Sequence, residues 1–465
     1  MQEETAENRE TAENRRTAGS SYNPVTEGRL GREIFFYMIP IVLSSLFQQL
    51  YNTVDAVVVG QFIGKEALGA VNSTGSITRL LIFFFVGLSA GATILISHML
   101  GGKKRAETQE AVHTAAAFAL FGGLFVSLAG ILLSPLLLRA VRMPEENFDL
   151  ALRYIRIFFA GAVFTVIYNM GAGILKCAGD SKRPFYFLLA SSTVNIVLDL
   201  LFVPIFGWGV AGAAWATVIG QFVSAVLVIH ALMTAQTDYR LFTGKLRIRL
   251  PLLSEMLRLG LPRGIQSSLF SFSNVLLISG VNSLGADVMA AFAVEEKLEI
   301  LVWLFVESVS VSATTFVGQN FGAGNKARVF RSVHICILYG FMIFIPISLL
   351  LYFGGGVLGR MFTADESVLR LAVYALRLAA PFYWVVIFTE VFSGAIQGTG
   401  ETLKPMLITF FSVCVLRILW MLLVFPLAPA FGTIVISYPV TWIAAALASA
   451  VYYKRGAWRR KLEKA

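Results

Sequence analysis

Gly64-Lys-Glu-Ala-Leu-Gly-Ala70 returns 221 positions later as Gly285-Ala-Asp-Val-Met-Ala-Ala291. The same offset carries Ala92-Thr93 to Ala313-Thr314, Gly101 to Gly322, and Val112-His113 to Val333-His334. It also takes Arg156 to Arg377, Gly173 to Gly394, Gly179 to Gly400 and Pro184 to Pro405, while Asn52 and Asn274 match at 222, a slip of one residue inside the first helix of each half. Chance does not hold one offset over such a length, so the chain is two copies of one unit. The halves run over roughly 29–240 and 250–455, joined by the basic stretch Arg240–Arg249.

Outward from the repeat, each half contains six apolar runs of about 20 residues or more, the length a helix needs to cross a bilayer core. Composition agrees: 57% of the 465 residues are hydrophobic and 14% charged, with a mean hydropathy of +0.72. A soluble domain carries nearer a quarter charged residues, so this chain needs a bilayer as its solvent. The expected fold class is an all-α integral membrane protein of twelve transmembrane helices. Six is even, so both halves enter the membrane from the same side, as two lobes related by a pseudo-two-fold axis along the membrane normal. The expected divisions are a disordered tail 1–28, an N-lobe 29–240, a linker 241–255, a C-lobe 256–455 and a basic tail 456–465. The tail repeats Thr-Ala-Glu-Asn-Arg at 5 and 11, and no secretory signal precedes the first run.

The net charge of +10 does not point to nucleic acid, because the basic residues sit in short loops and tails and not on one compact face. They gather on alternate loops and both tails. Lys65, Arg139, Arg142, Arg153, Arg156, Arg360, Arg370 and Arg377 fall to the other side, and Arg79, Lys297 and Arg417 lie within spans. By the positive-inside rule both termini are cytoplasmic, and the expected place is a bacterial inner membrane. Cys177, Cys336 and Cys414 lie in or beside apolar runs without CxxC spacing, so neither disulfide framework nor zinc site is indicated. Four scattered histidines with no HExxH or GxSxG argue against a membrane enzyme. His113 and His334, repeat partners at helix starts, read as helix-end or loop contacts.

Acids inside a span cost about 2.5–3.5 kcal/mol on insertion scales and need a reason. Asp55 lies in the first run and Asp199 in the fifth, with Asn195 one turn before it on the same face. Thr217 in the sixth run offers a hydroxyl. Carboxylate, amide and hydroxyl oxygens suit a hard ion such as sodium; two neighbouring carboxyls equally suit a shared proton. The bland alternative is a hydrogen-bonding network that fixes helix contacts. The 221 offset takes Asp199 to Trp420 and Asn195 to Leu416, so the second half lacks this set. A second cluster, Glu295, Glu296, Lys297 and Glu299, lies toward the outer end of the eighth run, with Glu307 deeper and Glu390 in the tenth. Arg79 at equivalent depth in the second run is a candidate partner for Glu295, Glu296 or Glu299 in an outer gate, against the plainer reading of ion pairs within one lobe.

Pro40-Ile-Val-Leu-Ser-Ser-Leu-Phe-Gln-Gln-Leu-Tyr-Asn-Thr-Val-Asp55 resembles the first helix of the multidrug and toxic compound extrusion family. Val317-Gly-Gln-Asn-Phe-Gly-Ala-Gly324 resembles the family's hallmark after its eighth helix, with Gly101-Gly102 as a degenerate first copy; the glycines at 101 and 322 are not phosphate cradles and are expected to let the chain turn sharply between helices. Gly171-Ala-Gly173, Ala178-Gly-Asp180 and Gly394-Ala-Ile-Gln-Gly-Thr-Gly400 resemble its paired loops after helices 4 and 10. The resemblance covers essentially everything after Thr26. It implies a V-shaped, two-lobed fold that exports drugs or metabolites, often cationic, against inward sodium ions or protons, with no other cofactor and as a monomer. It also matches Asp55, Asn195, Asp199 and Thr217 to the N-lobe cation site of the archaeal and DNA-damage-inducible branches. The chain departs from the branch whose cation site is in the C-lobe, since the seventh run carries no acid and Glu390 stands about a turn from that branch's acid. The rival reading is a lipid-linked oligosaccharide flippase of the same superfamily; an anionic N-lobe interior disfavours a pyrophosphate-bearing cargo.

Overall fold

The computed structural model describes residues 23–141 and 143–464. The expected tail up to residue 22, with its internal repeat, and the side chain of Arg79 lie outside the described residues. Every regular element among those described is helical, as an apolar chain requires where no water satisfies its backbone. The N-lobe comprises α1 (Leu30–Phe62), α2 (Lys65–Gly101), α3 (Arg105–Ala140), α4 (Glu145–Ala160 with Ala162–Cys177), α5 (Lys182–Leu200) and α6 (Gly209–Thr234). The C-lobe comprises α7 (Leu250–Ser283), α8 (Ala286–Gly322), α9 (Lys326–Gly359), α10 (Glu366–Ala379 with Tyr383–Gly398), α11 (from Leu403 to Leu427) and α12 (Phe431–Arg455).

Among the described residues, ten of these are long and apolar enough to cross a membrane, and α4, bent by 44° at Gly161, makes an eleventh. Twelve apolar spans were expected. The twelfth rod, α7, is 34 residues long; the side chains at 270–272 and 275, in the middle of its expected apolar run, lie outside those described. Much of its length lies against α2.

The repeat survives as backbone conformation. Gly64 (φ 113°) and Gly285 (φ 102°) precede α2 and α8 in the left-handed half of conformational space, and Gly179 (92°) pairs with Gly400 (81°). After α2 and α8 the chain turns at Lys103 (φ 55°) and Gly324 (φ 67°). Gly101 and Gly322, expected to supply those turns, do something else. A Cβ on Gly101 would stand 1.9 Å from the Gln319 carbonyl oxygen, and one on Gly322 2.1 Å from that of His98. They let α2 and α8 cross backbone to backbone beside the pseudo-two-fold axis. Gly87 and Gly91 give α7 the same approach, at Gly264 and Met256.

The sequence halves do not coincide with the packed lobes. The first half of α1 (Leu30, Ile34, Tyr37, Met38, Ile41) is buried in the C-lobe core, whereas Val58 and Val59 near its end pack with Tyr154, Val203, Val210 and Ala213 of the N-lobe. Helix α7 mirrors this: Met256 and Leu259 join the N-lobe core, Leu277 and Val281 that of the C-lobe. Both helices therefore pass from one lobe to the other.

Two expected boundaries move, and the C-terminal tail keeps its expected start. Residues 23–28, expected to be disordered, form a short helix (Pro24–Glu27) capped by Asn23, with Val25 1% exposed. Asn320 donates to the Val25 carbonyl, and Arg328 to those of Val25 and Gly28. Helix α7 begins at Leu250, with Pro251 suited to its first turn, so the linker is shorter than 241–255. It is pinned where His113 Nε2 accepts the Phe242 N–H at 3.0 Å and Arg249 meets Glu110 at 2.5 Å. The tail after 456 is helical over Ala457–Lys464, anchored by Trp458, which is buried beside Phe330 and Tyr453.

Both ends of the described chain meet the α8–α9 turn, so they share one side of the bundle. On that side the lobes are sealed. Tyr37 donates to the Lys176 carbonyl at 2.9 Å and lies 3.1 Å from the Thr315 hydroxyl. Gln319 donates to the Cys177 carbonyl at 2.5 Å while accepting from Asn23 at 2.7 Å, and His98 Nε2 meets the Gly398 carbonyl at 2.6 Å. Farther from the termini, α1 touches α8 where the Ser45 hydroxyl donates to Glu307 at 3.0 Å. Beyond it Leu50, Asn52, Thr53 and Asn274 are exposed.

Candidate functional site

Asp199 is fully buried near the end of α5, and Asn195, one turn earlier, is 3% exposed on the same face. Asp55, half-buried on α1, stands opposite, its carboxyl close enough to Asp199 for the two to interact directly. Five buried atoms meet here with no hydrogen-bond partner in the protein: Oδ1 of Asp55, both oxygens of Asp199, and Oδ1 and Nδ2 of Asn195. Unpaired buried polar atoms are rare because each costs about 1–3 kcal/mol, and this set converges. Four are oxygens, the donor type a hard monovalent cation takes. Two facing carboxyls can equally hold one proton between them.

Local sequence explains the position. Gly220 on α6 brings that helix against α5; a Cβ there would stand 3.1 Å from the Cβ of Asn195. Thr217, one turn before Gly220, is buried and donates to the Ala213 carbonyl at 3.1 Å, which leaves its lone pairs free. Immediately after Asp199, residues Leu201–Ile205 form a π-helical turn containing Pro204, an irregularity frequent beside functional residues. Sequence reasoning missed two members of the site. Tyr51 and Tyr154 both lie within electrostatic reach of Asp55 and Asp199. Tyr51 was within view, one turn before Asp55. Tyr154 was hidden among the arginines of α4.

Arg79, the expected gate partner of the α8 acids, has its side chain outside those described. Glu295 and Glu299 are 3% and 7% exposed, buried within the C-lobe, and Tyr383 of α10 donates to Glu299 Oε1 at 2.8 Å. One turn of helix separates them, and burying that face for packing with α10 buries both acids. Glu296 and Lys297 point to the exposed side. The acid of α8 that reaches another lobe's helix is Glu307, through Ser45. Glu390 is half-buried on α10.

Arg417, on the short α-helical segment of α11, is 3% exposed. Its Nη1 donates to Asn274 of α7 and its Nη2 to Thr441 of α12, both at 3.2 Å. The guanidinium carbon sits 4.4 Å from the Tyr438 ring centroid, and Nε has no partner. Glu299 and Arg417 interact electrostatically without forming a contact ion pair. Among the described residues, Asp199, Glu295, Glu299 and Arg417 are the fully buried charged side chains.

Comparison with known proteins places this geometry. The MatE family matches residues 40–201 and 262–423, the two halves of the repeat. The probable multidrug resistance protein YpnP of Bacillus subtilis (strain 168) is 27% identical over 445 residues, covering 93% of this chain and 97% of its own. The probable multidrug resistance protein NorM of Thermotoga maritima is 25% identical, covering 83% and 84%. Among solved structures, MATE in the straight conformation superposes with a TM-score of 0.88 at 24% identity over 96% of this chain and 100% of that one. An outward-facing multidrug resistance MATE family transporter of the MOP superfamily gives 0.86 at 23% identity, over 96% and 98%; both share the fold.

Proposed function

This chain belongs to the MatE family, and from that premise we propose that it exports small organic compounds, driven by a cation moving inward through the Asp55–Asp199 site. The observation that carries the reading is the set of five buried, unpartnered polar atoms of Asp55, Asn195 and Asp199. Relatives along nearly the whole chain are named multidrug resistance proteins, which supports drugs or drug-like metabolites as cargo.

Helix α1 supplies the coupling. Its carboxylate faces α5 in the N-lobe, and its first half is embedded in the C-lobe core. Binding a proton or sodium ion between Asp55 and Asp199 removes their mutual repulsion and lets α1 close on α5. Because the other end of α1 is held by Tyr37, Ile34 and Ile41 in the C-lobe, that closure changes how the lobes meet. The side bearing the termini is sealed, and the exposed residues beyond Ser45 and Glu307 mark the cleft opposite. The bias of basic residues toward the termini supports a cytoplasmic sealed side and an outward cleft, and the membrane we assign is a bacterial inner membrane.

Ethidium efflux from membrane vesicles under separately imposed proton and sodium gradients tests this. Asp55→Asn and Asp199→Asn each abolish gradient-driven efflux and leave downhill binding in place, and the gradient that drives the parent identifies the ion. Efflux equal to the parent in both variants, under either gradient, refutes the site.

A further inference from the structure

The C-lobe cluster sits where the N-lobe site sits. Helices α7, α10, α11 and α12 are the repeat counterparts of α1, α4, α5 and α6. Tyr438 occupies the position 221 residues after Thr217, and Arg417 follows by one residue the counterpart of Asn195. The contents differ: in place of a carboxyl pair and amide, the C-lobe has two acids from α8 and a fixed cation.

Charge accounting then leads to a ligand. Glu295 and Glu299 bring two negative charges into the membrane interior, and Arg417 brings one positive charge. The titratable neighbours on adjoining elements, Tyr383 from α10, Tyr438 from α12 and Cys414 from α11, are neutral in their ordinary forms, and α7 presents the neutral Asn274. Glu296 and Lys297 on α8 itself face the exposed side and offset each other. One uncompensated charge remains, and leaving it unpaired there costs several kcal/mol. The ion that completes the set must bind at carboxyl oxygen beside a guanidinium. A metal ion needs several oxygens around it and would be repelled by Arg417. A proton needs one oxygen. The buried Nε of Arg417 has no partner, so one donor of the fixed cation is not used by the observed hydrogen bonds.

We propose that the C-lobe binds one exchangeable proton on the Glu295–Glu299 pair, with Arg417 as its fixed counter-charge, giving this transporter a second ion site chemically unlike the first. Its place in the transport cycle rests on the exporter reading above; its existence does not.

The rule is that bound protons equal acids minus cations. Infrared difference spectroscopy of the full-length protein in nanodiscs, titrated with pH, reads the carbonyl band of protonated carboxyls directly. In the Asp55→Asn/Asp199→Asn double variant one titrating carboxyl band persists. Adding Glu295→Gln or Glu299→Gln to it abolishes that band, because the remaining acid is balanced by Arg417. Adding Arg417→Met instead doubles the band, and combining Arg417→Met with Glu299→Gln restores a single one. A band that survives both glutamine variants overturns the proposal, as does its absence from the N-lobe double variant. The glutamine changes are isosteric, so loss of fold, checked by thermal melting, does not mimic the result. If Asp55→Asn transports normally while these band counts hold, the N-lobe reading falls and this one stands.

Discussion

Gly101→Ala should open the sealed side of the molecule. The added Cβ would lie 1.9 Å from the Gln319 carbonyl oxygen, whereas real Cβ contacts essentially never fall below 3.0 Å, so the two helices must part by roughly 1.1 Å at the crossing. The obstacle is backbone of α8, not the end of a flexible side chain, so no rotamer change relieves it. Overpacking of this kind costs about 1–3 kcal/mol. The clash exists only while α2 and α8 cross, so the cost falls on the observed state and spares any state in which the lobes have separated there. That shifts the balance toward separation by about 5- to 150-fold.

Cys177 is a built-in reporter of that shift. It is 1% exposed at the end of α4, and its carbonyl accepts the Gln319 side chain that bridges the lobes. Cys336 is fully buried inside the C-lobe on α9 and serves as the control. The rate of Cys177 modification by a polar thiol reagent should rise within the 5- to 150-fold range in Gly101→Ala, with Cys336 unchanged. Gly322→Ala, which meets the His98 carbonyl at 2.1 Å from the opposite side, should act alike, and the two effects should not add because they relieve one contact. An unchanged Cys177 rate in a folded variant refutes the crossing as the seal.

Two further outcomes follow from the same interface. Lys103 adopts the left-handed conformation that Gly324 adopts in the other half, so Lys103→Gly should stabilise the protein by roughly 1 kcal/mol, and Gly324→Lys should destabilise it by a similar amount; thermal melts with equal or reversed shifts contradict the equivalence. Arg328→Gln removes donors to the Val25 and Gly28 carbonyls, so protease cleavage near residue 28 should accelerate several-fold while cleavage of the 235–249 linker does not.

The repeat made the two-lobed fold legible because an offset of 221 residues needs no knowledge of contacts. The buried acids of α1 and α5 were legible for a similar reason: Asn195 and Asp199 share a helical face, and a carboxylate in an apolar run always needs an explanation. What could not be read depended on partners distant in sequence. Glu295 and Glu299 looked like cleft residues because they sit at gate depth, yet Tyr383, which donates to Glu299, comes from α10, and Tyr438, within electrostatic reach of both, from α12. Gly101 and Gly322 looked like turn residues because they end helices, and only the crossing of α2 with α8 shows why a side chain is excluded. Val25 looked like part of a polar tail, since nothing local announces the Arg328 and Asn320 that fix its backbone.

The passage of α1 and α7 between lobes gives the two proposed ion sites unequal leverage. Asp55 is carried on α1 itself, so any ion it binds acts on a rod whose other end lies in the opposite lobe's core. The counterpart on α7 is the neutral Asn274, and the acids of the C-lobe sit on α8, where Glu299 is joined to Tyr383 of the same lobe. A proton gained or lost by Glu295 and Glu299 reaches α7 through Arg417 and its bond to Asn274 at 3.2 Å. Duplication supplied two equivalent frames. The N-lobe set its charge on the helix that crosses, which makes that charge a lever on the whole molecule, while the C-lobe tied its own to the crossing helix by a single hydrogen-bonded arginine.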